Sequence, residues 1–137
     1  MSKPLRVGQF YFTAKWVKIR LPLTMGSMRR NIIAVKTRPG EVRFVAVASI
    51  ERVEAFGNYV KIYFGNERVL HRATLSDMEE ILDDRFIRIH RSHIVKRDHL
   101  RKLLSELGRY QEVELADETV LPLGGNYKRQ LMLELGL

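Results

Sequence analysis

Apolar residues recur at every second position in a series of short runs from residue 31 onward, which is the pattern of half-buried β-strands. Residues 59–64 alternate most clearly, with Val60, Ile62 and Phe64 directed inward. Val42, Phe44, Ala46 and Ala48 likewise share one parity and predict the inner face of a second strand. Strands are predicted over 31–38, 41–48, 50–56, 59–64, 69–72, 86–90, 100–107, 112–116 and 119–123.

Turn residues separate these runs. Pro39-Gly40, Gly57-Asn58, Gly65-Asn66 and Asp117-Glu118 each fall between two apolar segments, as expected for antiparallel strands joined by tight turns. The chain therefore belongs to the mostly β class.

Two segments have helical spacing instead. Thr74 can cap a helix together with Asp77, and Leu75, Met78 and Leu82 then share one face. The acidic pair Asp83-Asp84 suits a helix C-terminus poorly and predicts that the helix ends there. After Gly124-Gly125, apolar side chains at 127, 131 and 135 predict a short terminal helix.

Composition narrows the possible functions. The length of 137 residues suits one domain, and 45% apolar residues suffice for a core. The absence of cysteine excludes disulfides, thiol catalysis and cysteine-bound zinc. No apolar run approaches the roughly 20 residues that span a bilayer, so we expect a cytoplasmic protein.

The net charge of +8 is unevenly distributed. Residues 1–30 contain seven Lys/Arg and no acid, whereas residues 31–137 are nearly neutral. We interpret 1–30 as a basic N-terminal extension of unknown role and 31–137 as the folded domain. Within that domain, residues 85–102 hold seven Lys/Arg, three His and one acid, interleaved with large apolar residues. We expect the apolar side chains of this segment to enter the core and its cationic side chains to face solvent. A folded cationic surface of this kind favours nucleic acid as a partner.

The order of motifs resembles a known family. The segment Ile50-Glu-Arg-Val-Glu54 precedes Gly57-Asn-Tyr-Val60, and the string Phe86-Ile-Arg-Ile-His-Arg-Ser-His-Ile-Val95 precedes Val120-Leu-Pro-Leu123. Over residues 32–135 this is similar to the LytTR family of bacterial DNA-binding domains. The resemblance implies an elongated domain of small antiparallel sheets with one or two short helices, which reads DNA by inserting loops into major grooves. It also implies a transcriptional regulator of the response-regulator, two-component type.

Three predicted loops, 56–61, 91–97 and 124–129, gather side chains suited to DNA. Phosphate contacts are predicted for Lys61, Arg91, Arg97, Lys128 and Arg129. Asn58 and Asn126 can pair with adenine, and Lys96 can donate to guanine. The predicted site also includes Tyr59, Arg88, Ser92 and His93.

This chain departs from the family pattern at base-contacting positions. The resemblance places Asn where Lys96 stands, and Ser-Arg where Gly124-Gly125 stands. We therefore expect altered or weakened sequence preference with general DNA affinity retained.

Other chemistries fit less well. Strand alternation would put His90 and His93 on opposite faces, so neither a metal site nor a Ser92–His pair is predicted. Paired carboxylates occupy predicted solvent-facing or turn positions. We expect no enzymatic activity, no metal and no cofactor.

The expected partner is double-stranded DNA, bound at paired half-sites by a homodimer or by side-by-side monomers, as the resemblance implies. A separate sensor or regulator protein is a second expected partner, since 30 residues are too few for a receiver domain. Two alternatives stay open: a protein-interaction module that has lost base readout, and a single-stranded nucleic-acid binder using Tyr59, Tyr63 and the aromatic residues of 1–30 for stacking.

Overall fold

A computed structural model describes residues 30–137, so all but the last residue of the basic extension lies outside the described part. The described residues form ten strands and two α-helices. The strands are β1 (Ile32–Arg38), β2 (Glu41–Ala46), β3 (Ile50–Phe56), β4 (Tyr59–Phe64), β5 (Glu67–His71), β6 (Phe86–His90), β7 (His93–Lys96), β8 (Leu100–Glu106), β9 (Arg109–Leu115) and β10 (Val120–Pro122). The helices are α1 (Leu75–Ile81) and α2 (Gly125–Glu134). The mostly β prediction is confirmed.

The strands form three small antiparallel sheets. The central sheet has five strands in the order β5-β4-β3-β7-β6, a second has the order β10-β9-β8, and β1 pairs with β2 alone. The β1–β2 hairpin is joined to the edge of the central sheet, where the backbone N–H of Lys36 donates to Nδ1 of His71 over 3.1 Å.

The central sheet is covered on both faces at its β6–β7 edge, which explains why these two strands carry apolar residues on both faces. Successive residues alternate between two cores: Phe86 and Ile94 pack into one, Ile87 and Val95 into the other. The first core lies under α1 and the β1–β2 hairpin. The second lies between the central sheet, the β8–β10 sheet and α2, whose Leu131 is fully buried.

Helix α1 begins as its sequence predicts. The N–H of Asp77 donates to Oγ1 of Thr74 over 3.0 Å, and the N–H of Thr74 donates to Oδ2 of Asp77 over 3.1 Å. This reciprocal capping box satisfies two backbone donors that a helix start would leave unpaired. Leu75 and Met78 are buried, and the helix ends before Leu82.

One strand has the opposite face buried from the one predicted. In β2, Phe44 is 72% exposed and Val42 is 51% exposed, whereas Val45 and the following Val47 are buried. Both parities carry apolar residues, Phe44 and Ala46 on one and Val45 and Val47 on the other, so alternation alone could not choose between them. Pairing with β1 decides the face, because it sets Val45 opposite the buried Ile33.

The predicted loop 91–97 is also wrong. His93–Lys96 forms β7, which pairs with both β3 and β6 in the centre of the sheet. Only Arg91 and Ser92 form the turn between β6 and β7. Arg91, Lys96 and Arg97 border the short apolar pair Ile94-Val95. The sequence pattern therefore did not indicate a strand that is buried on both faces.

Within residues 30–137, neither helix has the length and the apolar surface needed to span a bilayer.

Candidate nucleic-acid interface

Two tight turns lie side by side at one end of the central sheet. Gly57 and Asn58 join β3 to β4, and Arg91 and Ser92 join β6 to β7. Because β3 and β7 are antiparallel neighbours, the end of β3 adjoins the start of β7, with Glu54 opposite His93. The N–H of Ala55 donates to the carbonyl oxygen of Ser92 over 2.9 Å. This hydrogen bond fixes the two turns relative to each other.

The start of α2 completes this end of the molecule. The N–H of Gly124 donates to the carbonyl oxygen of Ile89 over 2.7 Å. A Cβ atom at Gly124 would lie 3.1 Å from Cδ2 of Tyr127 and 3.4 Å from Cα of His90, so a side chain here would require Tyr127 to move slightly. We call the combined surface, formed by residues 57–59, 91–92 and 124–126, the rim.

The rim presents polar groups that can hydrogen-bond to bases and phosphates. Asn58, Arg91 and Asn126 are exposed, and Tyr59 is 39% exposed. The structure therefore brings together residues from all three loops that the sequence singled out.

Three further predicted cations lie close behind the rim. Lys61 is on β4, where its Nζ lies 4.2 Å from the ring centroid of Phe56. Lys128 and Arg129 lie in the first half of α2, Lys128 half-buried and Arg129 exposed.

Lys96 and Arg97 do not belong to the rim. Lys96 is the last residue of β7 and Arg97 follows it, so Lys96 lies about 13 Å from Ser92 at roughly 3.3 Å per residue. The amine of Lys96 donates to the carbonyl oxygen of Ala48. The guanidinium of Arg97 donates to the carbonyl oxygen of Asp84 over 2.6 Å and to the carboxylate of Glu134. Gln130 and then Arg97 lower the pKa of Glu134, which keeps this carboxylate ionised as the partner of Arg97.

Ser92 and His93 act within the protein. The N–H of Ser92 donates to Nδ1 of His90 over 3.0 Å, and the His90 and His93 rings lie 5.5 Å apart. The expectation that these two histidines face opposite ways is wrong, because the chain reverses between them. His93 is buried, and this burial lowers its pKa, which favours a neutral imidazole over a phosphate-binding cation. The described residues contain no group of three metal-binding side chains.

A polar network behind the rim was not foreseen from the sequence. The guanidinium carbon of Arg52 lies 3.8 Å from the ring centroid of Tyr63, and the Tyr63 hydroxyl donates to Oε1 of Glu54 over 2.9 Å. Burial, followed by the Glu54 hydrogen bond, raises the pKa of Tyr63. Because Arg52 covers its ring, Tyr63 is poorly placed to stack on a base. The alternation of Arg52 and Glu54 around buried Val53 was the available signal for such a network.

The fold and the rim together define a class: a small β-domain that presents polar turns and a helix start at one end of a sheet. The family model for the LytTr DNA-binding domain matches residues 40–136. This chain belongs to the LytTR family of DNA-binding domains, as its motifs indicated.

Comparison with solved structures confirms the fold. The LytTr DNA-binding domain of a putative methyl-accepting/DNA response regulator from Bacillus cereus superposes with a TM-score of 0.68 at 20% sequence identity. The match covers 79% of this chain and 99% of that one. No curated protein matches the chain.

Proposed function

We propose that this domain binds double-stranded DNA through the rim and regulates transcription. The observation that carries the proposal is the convergence of turns 57–58 and 91–92 with the start of α2 at one end of the molecule. Family membership supports DNA as the ligand. The likeness to a domain named as part of a response regulator supports a regulatory role.

The dimensions of the rim suit the major groove. Strands β3 and β7 are adjacent, so the centres of the two turns are about 10 Å apart, or two strand spacings of roughly 4.8 Å. The major groove of B-DNA is about 12 Å wide. Each two-residue turn joins neighbouring strands about 4.8 Å apart, so either turn fits the groove and can present Asn58 or Arg91 to base edges and phosphates.

Helix α2 supports an anion beside the turns. Its first residue follows Gly124, which offers no side-chain cap. The positive end of the helix dipole and the first-turn N–H groups therefore lie at the rim, where they favour a phosphate. Lys128 and Arg129 add cationic charge on the same helix.

Contacts divide into two kinds. Arg91, Lys61, Lys128 and Arg129 fit phosphates, which set affinity and register, whereas the amides of Asn58 and Asn126 fit adenine. Lys96 and Arg97, at the far end of β7, contribute little to this interface. Base readout is thus limited to few side chains, and Gly125 supplies none.

Selection of bound sequences from a random duplex pool tests the proposal. We expect retained duplexes to share a short enriched motif. Recovery of duplexes without an enriched motif would support DNA binding but contradict base readout. No duplex retention at low salt would contradict the proposed function, and retention of single strands in preference to duplexes would favour the stacking alternative.

A further inference from the structure

Arg88 lies in the middle of β6 but interacts with three other parts of the molecule. Its side chain is 14% exposed, and its Nη1 donates to Oε1 of Glu79 in α1 over 3.0 Å. Its Nη2 donates to the carbonyl oxygen of Arg91 over 2.8 Å, and its Nε to that of His90 over 3.3 Å. Its guanidinium carbon lies 5.4 Å from the ring centroid of Tyr127 in α2.

We propose that Arg88 is a positioning residue that holds the Arg91–Ser92 turn in its DNA-binding geometry. This inference rests on the proposed function, because it assigns Arg88 a role in placing Arg91. The guanidinium binds the carbonyl oxygens of His90 and Arg91, which belong to the two peptide groups on either side of the Arg91 Cα atom. These hydrogen bonds therefore fix the direction in which the Arg91 side chain projects. Hydrogen bonds from a charged donor are stronger than neutral ones, so this restraint is firm.

The same geometry argues against direct phosphate contact by Arg88. Three of its five N–H donors already bond within the protein and its side chain is only 14% exposed, which leaves little of the guanidinium accessible to DNA. The planar guanidinium is also required, because a lysine ammonium is a point charge on a flexible stem and cannot reproduce a rigid fork of donors. Arg88→Lys therefore keeps the positive charge at this position but removes the planar set of donors.

The first test is a double-mutant cycle on duplex affinity with Arg88→Lys, Arg91→Ala and the combined variant. We expect Arg88→Lys to weaken binding about tenfold in the wild-type background and at most about twofold when Arg91 is already alanine, since coupled residues are non-additive. Losses that add, or wild-type affinity in Arg88→Lys, would overturn the proposal. Glu79→Gln is the matched control, because it removes the negative charge of the α1 partner and leaves both carbonyl bonds.

The second test needs no DNA. Amide hydrogen exchange at Ser92 should accelerate in Arg88→Lys, while amides paired between β8 and β9 keep their protection. Unchanged exchange at Ser92 would overturn the inference, and so would equal acceleration throughout the chain, which would indicate a general structural role. If the wild-type protein fails to bind duplex DNA, the proposed function fails, and with it the assigned role in DNA binding. The exchange result then reports only whether Arg88 holds the turn.

Discussion

The N–H of Gly124 donates to the carbonyl oxygen of Ile89 over 2.7 Å. This hydrogen bond joins the start of α2 to the end of β6 that adjoins the Arg91–Ser92 turn. At the other end of the helix, Glu134 pairs with Arg97 after β7. Helix α2 is therefore fastened at both ends along the β6–β7 hairpin. Its N-terminus is held beside Arg91 by the fold itself, which makes the rim one preformed surface.

The two adjacent glycines allow a matched test of this packing. A Cβ atom at Gly124 would meet Cδ2 of Tyr127 at 3.1 Å, whereas one at Gly125 would meet nothing within 4 Å. We expect Gly124→Ala to lower the free energy of unfolding by about 1 kcal/mol, near the low end for overpacking. Gly125→Ala should be neutral or slightly stabilising. Urea denaturation of both variants checks this, and equal effects would mean that the close approach at Gly124 is unimportant.

Much of the fold could be predicted because local and global preferences agree. Thr74 and Asp77 cap α1, and Val60 and Ile62 face the core, as their spacing alone indicates. The two wrong predictions, the buried face of β2 and the loop in place of β7, have one physical origin. In β2 both faces carry apolar residues, and in β7 cationic residues flank a buried core strand. Periodicity cannot resolve either case, because strand pairing decides which side chains are covered.

The candidate site was only partly predictable for the same reason. Asn58, Arg91 and Asn126 adjoin Gly-containing or charged breaks in the pattern, so they could be assigned to turns or element ends. Because His93–Lys96 forms the strand β7, Lys96 and Arg97 lie at the end of the sheet opposite the rim. The roles of Arg88 and Arg52 depend on partners far away in sequence or across a turn, and no spacing rule signals these partners.

Asn58 should contribute to sequence preference. Asn58 and Asn66 each follow a glycine of positive φ in a two-residue turn, but they lie at opposite ends of β4. Asn58→Ala should lower discrimination between preferred and altered duplexes by about 1–3 kcal/mol, the usual value of a bidentate base contact. Asn66→Ala should leave discrimination unchanged. Competition titrations with the two variants check this, and equal behaviour would exclude a base contact at Asn58.

Gly125 offers room for an added contact. It is exposed, and space around its Cβ position is open. We expect Gly125→Arg to sharpen the motif selected from a random duplex pool, because arginine donates bidentately to guanine in the major groove. Gly125→Ala serves as control. A motif identical in both variants would show that position 125 does not reach the bases.

Stability should fall in mild acid. Burial, followed by the charge of Lys36, lowers the pKa of His71, while Asp77 opposes this shift. The folded state therefore favours neutral His71, whose Nδ1 accepts the Lys36 N–H. The stability that depends on this neutral form is fully present above the unfolded-state pKa of about 6.5 and is lost as pH falls from there towards the lowered folded-state pKa.

His71→Gln should weaken this pH dependence in chemical denaturation between about pH 7.5 and 5, because glutamine accepts a hydrogen bond but has no group that titrates in this range. The remaining dependence should include His93, whose pKa burial also lowers. A wild-type pH profile in His71→Gln would contradict this account of the β1–β2 attachment.

The most direct measurement is the salt dependence of duplex binding for the wild-type protein, Arg91→Ala and Arg97→Ala. Each phosphate contact contributes about 0.9 to the slope of log affinity against log salt. We predict that Arg91→Ala weakens binding and reduces the slope by about 0.9, the value of one phosphate contact. Arg97→Ala should keep the wild-type slope and cost about 0.2–1 kcal/mol of folding stability through its partly exposed ion pair. Equal slopes for wild type and Arg91→Ala, or a slope lowered only in Arg97→Ala, would contradict the claim that the rim is the DNA-binding surface.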